Sequence, residues 1–145
     1  MYADYDFYVT SFYGAAISEA DFPRLSSRAS DFIDYYTRGK AATVTEESAL
    51  NAIRKACCAI AEQMQTDEQN KALAAKATAA ALASANGEVK SETVGSWSQT
   101  YATASDYIKA GGAADAAKDA RATYAAIAQE YLSNTGLLYR GGCCK

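Results

Sequence analysis

The chain has no histidine and a single proline among its 145 residues. Without histidine the usual general base at neutral pH is missing, and the Ser-His and Cys-His nucleophile pairs are excluded. Positive charge is also scarce. Lys and Arg number 14 against 17 Asp and Glu, for a net charge of −3. That balance argues against a sequence-independent nucleic-acid binder, which needs clustered positive charge to neutralise phosphates. No apolar run approaches the length of a membrane span, and a soluble protein made in the cytoplasm without a signal peptide is expected. No glycine loop has the strand–turn–helix setting that cradles phosphate; Gly111-Gly112 and Gly141-Gly142 both lack it. The cysteines stand as two adjacent pairs, Cys57-Cys58 and Cys143-Cys144. Neither pair has C-x-x-C spacing, and no histidine is present to complete a zinc site. The first pair reads as reduced core cysteine on a helix, the second as thiols of a tail. Asp31 and Asp34 read as the solvated edge of a helix. No catalytic residue, cofactor site or metal site is expected, and a binding or structural role is favoured over an enzyme.

What the chain does have is alanine. Half of it counts as hydrophobic, much of that alanine, which favours helix and buries little surface. A helical protein with a modest core follows, in one domain. The clearest amphipathic stretch is 45–64, TEESALNAIRKACCAIAEQM. Leu50, Ile53, Cys57, Ile60 and Met64 recur at steps of three and four and form one apolar stripe. Thr45 is placed to cap this helix, with Glu46 and Glu47 in its first turn.

Before it, residues 2–13 are crowded with aromatics, and Asp4 suits the cap of a short helix that Gly14 ends. These rings either cover one end of the bundle or offer a contact surface. A second helix is expected from about Asp21, since Pro23 is tolerated only in a first turn. Its apolar face is Phe22, Leu25, Ala29, Phe32, Ile33 and Tyr36, and Gly39 stops it. After Met64 the stripe weakens. The alanine-rich stretch 71–85 either continues the central helix or follows a break near Thr66 and Asp67, and Asn86-Gly87 is a helix stop. Residues 88–101, EVKSETVGSWSQTY, mix Val, Thr, Trp and Tyr with serine and read as an extended arm or β-hairpin bending about Gly95. Val89, Val94, Trp97 and Tyr101 are candidates for packing on the same domain or on a neighbouring copy. The last helix covers 113–133, with Ala117, Ala120, Tyr124, Ile127 and Tyr131 at helical spacing, and Asn134 and Gly136 end it. Leu137, Leu138, Tyr139 and Arg140 follow, either as a docking segment or packed back on the bundle. The expected fold class is therefore all-α: a small helical bundle over 1–134 with the 88–101 arm, and an extended C-terminal tail over 135–145. The expected core is Phe32, Ile33, Leu50, Ile53, Cys57, Ile60, Tyr124 and Ile127.

Four segments taken together, YADYDFYVTSFYG, RASDFIDYYTRGK, EVKSETVGSWSQTYA and YLSNTGLLYRGG, resemble the head–tail connector (adaptor) proteins of long-tailed bacteriophages and prophages. The resemblance spans most of the chain and is weakest over 71–85 and 103–120. The Cys-Cys-Lys ending has no counterpart in the family pattern. The resemblance implies a structural virion protein without cofactor. It would form a homo-oligomeric, dodecameric ring under the portal protein, in the neck between capsid and tail, after assembly in the host cytoplasm. The ring would extend the DNA channel and offer a platform to the next neck protein. Genomic DNA would pass through without sequence-specific binding, which suits the acidic balance, and no membrane would be involved. The family's C-terminal segment tends to engage the portal, which here falls on Thr135, Gly136, Leu137, Leu138, Tyr139 and Arg140. The alternatives are a small helical interaction module unrelated to virions, and another neck protein such as a head-completion or tail-terminator protein.

Overall fold

The computed structural model describes residues 1–84, 91–94, 97–100 and 113–139. The chain is predominantly helical. Its helices are α1 (Tyr5–Thr10), α2 (Phe22–Thr37), α3 (Glu47–Ser84) and α4 (Ala113–Leu132), with 3-10 turns at Lys40–Thr43 and Ser133–Thr135. Between α3 and α4, β1 (Ser91–Val94) and β2 (Trp97–Thr100) pair antiparallel, with Ser91 opposite Thr100 and Val94 opposite Trp97. The chain divides into two compact units, Met1–Asp67 with Ala120–Lys145, and Glu68–Asp119.

In the first unit, α1 begins where Asp4 Oδ1 accepts from the Phe7 amide at 2.9 Å, satisfying one of the orphan donors of a helix start. Tyr8 is fully buried. Its hydroxyl donates to Glu62 Oε1 at 2.7 Å and accepts from the amides of Ala16 and Ile17 at 2.9 and 3.1 Å. One phenol therefore ties α1, the following loop and α3 together. Gly14 lies against that ring, and a Cβ there would sit 2.0 Å from Tyr8 Cε2. No other residue fits without displacing the tyrosine. The residue before it, Tyr13, takes a left-handed conformation with φ 59°, a region that is unfavourable by about 1–2 kcal/mol for an L side chain.

α2 starts at Phe22 with Pro23 in its first turn, and Ser18 Oγ donates to Asp21 Oδ2 at 2.7 Å just before it. It ends on two successive left-handed residues, Arg38 (φ 56°) and Gly39 (φ 76°). There the Gly39 amide reaches back to Asp34 O at 2.8 Å, the long return bond of a Schellman-type stop. The expected start at Asp21 and stop at Gly39 thus hold. Thr45 does not cap the central helix. After the 3-10 turn Val44 is extended (φ −73°, ψ 133°), so the chain enters α3 only at Glu47, and its first turn closes with the Leu50 amide on Glu46 O at 2.9 Å.

α3 is one continuous helix of 38 residues. The polar stretch after Met64 stays helical, with side-chain bonds running along it. Thr66 Oγ1 donates to Glu62 O at 3.1 Å, and Gln63 Nε2 donates to Asp67 Oδ1 at 3.0 Å. The expected stop at Asn86-Gly87 lies outside the described residues. The buried positions of α3 form a face wider than one stripe. Ala49, Ile53, Ala56, Cys57, Cys58, Ile60, Ala61 and Met64 are all buried. From Ala56 to Cys58 they cover about 200° of the circumference at ~100° per residue. A helix buried over that arc must have neighbours on more than one side.

Part of the expected core is only half-buried. Ile33, Ile53, Cys57 and Ile60 are fully buried, whereas Phe32, Leu50, Tyr124 and Ile127 are partly exposed. The side chains of α4 that close the core are Ala128 and Leu132. Phe32 and Tyr124 meet edge-on with centroids 5.6 Å apart and rings at 81°. Tyr124 also donates its hydroxyl to Asp67 Oδ2 at 2.6 Å. A tyrosine with a carboxylate partner belongs at the margin of a core, where one end is apolar and the other wet. Leu50 lies in the first turn of α3.

In the second unit α3 is exposed from Gln69 to Lys76, and Leu73 is 63% exposed.

Candidate interaction surfaces

The segment after α4 turns back on the first unit. Gly136 is left-handed with φ 71°, and the Tyr139 amide donates to Gly136 O at 3.1 Å. Leu137 and Leu138 are half-buried against the core. Lys40 Nζ donates to Tyr139 O at 2.6 Å, bridging 99 residues of sequence. Tyr36, Thr37, Arg38 and Lys40 at the end of α2, with Leu137, Leu138 and Tyr139, line a groove of about 240 Å³. Of the two sequence readings of this segment, packing back holds for Leu137 and Leu138. Each gains roughly 1.5–3 kcal/mol if fully buried, and a single left-handed glycine is enough to reverse the chain. Tyr139 remains 68% exposed. Arg140, Cys143 and Cys144 lie outside the described residues.

The other predicted contact set is only partly placed. Val94 is paired with Trp97 in the register of the β1–β2 ladder, and Val89 and Tyr101 lie outside the described residues. A second groove, of about 380 Å³, lies between α2 and α4 of the first unit over Met64 of α3, lined also by Arg28, Asp31, Phe32, Tyr35, Arg121 and Tyr124. Asp31 thus borders a groove, while Asp34 accepts the hydroxyl proton of Tyr2.

Sequence reasoning missed a buried polar cluster beneath the N-terminus. Ser26 and Ser30 are buried on α2. Ser26 Oγ donates to Ala3 O at 2.8 Å, and Ser30 Oγ donates to Ser26 O at 2.7 Å while accepting the Tyr2 amide at 3.0 Å. Both hydroxyls lie 3.5 Å from Cys57 Sγ. The available signal was two serines four residues apart beside the apolar positions of α2. Among the described residues no buried side-chain oxygen or nitrogen lacks a partner.

The electrostatics hold protons rather than release them. Burial pushes the Cys58 thiol from 9.0 up to about 12, with Cys57, Glu62 and Asp4 adding to the shift. Such a thiol is a poor nucleophile. Burial also raises Tyr8, helped by its bond to Glu62, although the amides of Ile17 and Ala16 pull the other way. Tyr2 is raised by burial and by Asp34, and Tyr131 by burial and by Glu130. Among the described residues no group of three or more Cys, Asp or Glu could hold a metal ion, and no helix is long and apolar enough to cross a membrane.

Comparison with protein-family models, with curated proteins and with solved structures found no match to this chain.

Proposed function

We propose that this chain is a structural neck protein of a long-tailed phage or prophage, a head–tail connector that forms a ring under the portal, extends the DNA channel and presents a platform to the next neck protein. The observation that carries the reading is how three of the four resembling segments meet. Tyr2, from the first segment, donates its amide to Ser30 and its hydroxyl to Asp34, both within the second. Lys40, closing the second, holds the backbone of Tyr139 in the last. Residues 28 to 99 positions apart thus form one contact network at the N-terminus, the end of α2 and the post-α4 turn. Three of the four matched segments, individually weak, thus belong to the first unit and touch one another there, while the third, 88–102, lies in the second unit.

In this reading Leu137 and Leu138 anchor the last segment on the bundle, while Tyr139 and Arg140 present it to the portal. The 88–101 arm, through Val89, Val94, Trp97 and Tyr101, contacts the neighbouring subunit of a dodecameric ring. The role is structural, with no catalytic step or cofactor.

The test is co-production with a portal protein from the genome that encodes the chain, followed by electron microscopy and co-purification. Rings bound to portal are expected. Tyr139→Ala, at an exposed position, should abolish co-purification with an unchanged thermal midpoint. Trp97→Ala should weaken ring formation with unchanged helix content. A chain that neither binds that portal nor forms rings in its presence overturns the proposal.

A further inference from the structure

Tyr13 combines two features that rarely coincide. Its backbone is left-handed, φ 59°, a conformation uncommon for any residue but glycine and a marked outlier for a bulky one. Its side chain is also 84% exposed, so no burial of the ring offsets that strain within this chain. The loop that holds it is fixed from behind. Gly14 lies against the Tyr8 ring, and the Tyr8 hydroxyl takes the amides of Ala16 and Ile17. An aromatic knob on a fixed loop loses little conformational freedom on binding, which is what an anchor residue requires.

The groove on α2 and α4 suits such a knob. Phe32, Tyr35 and Tyr124 line it with rings, Arg28 and Arg121 with guanidinium groups, and Asp31 with a carboxylate able to accept a hydrogen bond from a phenol hydroxyl. Its volume of about 380 Å³ is within the range of roughly 300–1,000 Å³ usual for small-molecule pockets, ample for one tyrosine ring. Charge points the same way. Residues 1–23 contain Asp4, Asp6, Glu19 and Asp21 and no Lys or Arg, whereas two arginines line the groove against one aspartate. An acidic knob region and an arginine-bearing groove on the same chain are complementary between copies.

We infer that Tyr13 of one copy seats in the Arg28–Tyr35–Arg121 groove of a second copy, as a head-to-tail contact. Knob and groove are different patches, so each contact leaves one of each unused, and further copies add until the arrangement closes. The inference takes its setting from the ring reading above, but the contact it names is intrinsic to the purified chain and needs no portal.

The test is sedimentation velocity of the purified full chain up to millimolar concentration, with helix content and thermal midpoint as fold controls. Concentration-dependent association is expected. Tyr13→Ala and Arg121→Glu, both at exposed positions, should each weaken it roughly tenfold or more. Mixed together, the two variants should give a one-to-one dimer and nothing larger, because one supplies the only intact groove and the other the only intact knob. If Tyr13→Ala perturbs the fold, Tyr13→Gly, which suits the left-handed backbone, takes its place. A chain that stays monomeric throughout, a Tyr13 variant that associates like the parent, or a mixture that builds larger species each overturns the inference. Portal binding is not measured here, so loss of the portal reading leaves this result standing, and the reverse also holds.

Discussion

α3 passes through two different environments without a break. From Ile53 to Met64 its large apolar side chains and both cysteines are buried, and Glu62 near the end of that stretch accepts the buried Tyr8 hydroxyl. From Gln69 to Lys76 the same helix is exposed, and its leucine faces water. The first half is specified by side chains that can meet partners only one way. The second is helical by alanine propensity, which is worth tenths of a kcal/mol per residue and selects no particular neighbour. Helix formation and tertiary specificity are separable properties, and this one helix displays them in sequence.

Substitution should break that symmetry most sharply at the two matched aliphatics. Ile60→Ala should destabilise by about 2–5 kcal/mol, as truncation of a fully buried side chain does. Leu73→Ala should stay within about 0.5 kcal/mol, as exposed substitutions do. Urea unfolding of both variants measures the contrast, and equal effects would remove the distinction between the halves.

A smaller effect is expected from removing one oxygen. Tyr8→Phe leaves the amides of Ala16 and Ile17 without their acceptor and Glu62 without its donor, and should destabilise by about 1–3 kcal/mol. Tyr35→Phe, on the exposed face of α2, should be near neutral. Denaturant midpoints of the two variants test whether the first unit depends on that hydroxyl.

The smallest effect is a pH slope. The Cys58 thiol is pushed up from 9.0 to about 12 in the folded chain, so between those values the unfolded state holds fewer protons than the folded one. Stability from this group is fully present below about pH 9 and is lost as pH rises toward about 12. Cys58→Ala should flatten the decline of the thermal midpoint between pH 9 and pH 11, and Tyr8, raised in the same direction, should retain part of it. An unaltered slope would mean that the buried thiol plays no part in the alkaline response.

Much of the first unit was legible in the chain. Asp4 as a cap, Pro23 in a first turn, Gly39 as a stop and the Ile53–Cys57–Ile60 spacing are local signals, and each corresponds to an observed feature. The wider buried face of α3 was only partly legible: the Cys57-Cys58 pair read as core, but Ala56 and Ala61 become core only when neighbouring helices approach closely over small side chains. Phe32 and Tyr124 were assigned to the interior on apolar spacing, but a carboxylate partner for Tyr124 draws that pair to the margin. The candidate surfaces were legible only as composition: the apolar residues beyond α4 were visible, and their return onto α2 was not.

The sequence alone determined that the chain is helical, where most helices begin and end, and that the histidine-dependent catalytic arrangements are excluded. These follow from spacing, caps and composition within a few residues of each point. Only the tertiary structure decided that Ser26, Ser30 and Cys57 share a buried polar site with the N-terminus, that Leu137 and Leu138 fold back while Tyr139 stays exposed, and that Tyr13 is strained and presented to solvent. Those outcomes depend on contacts between residues up to 99 positions apart, and no local preference encodes which distant backbone will supply a partner.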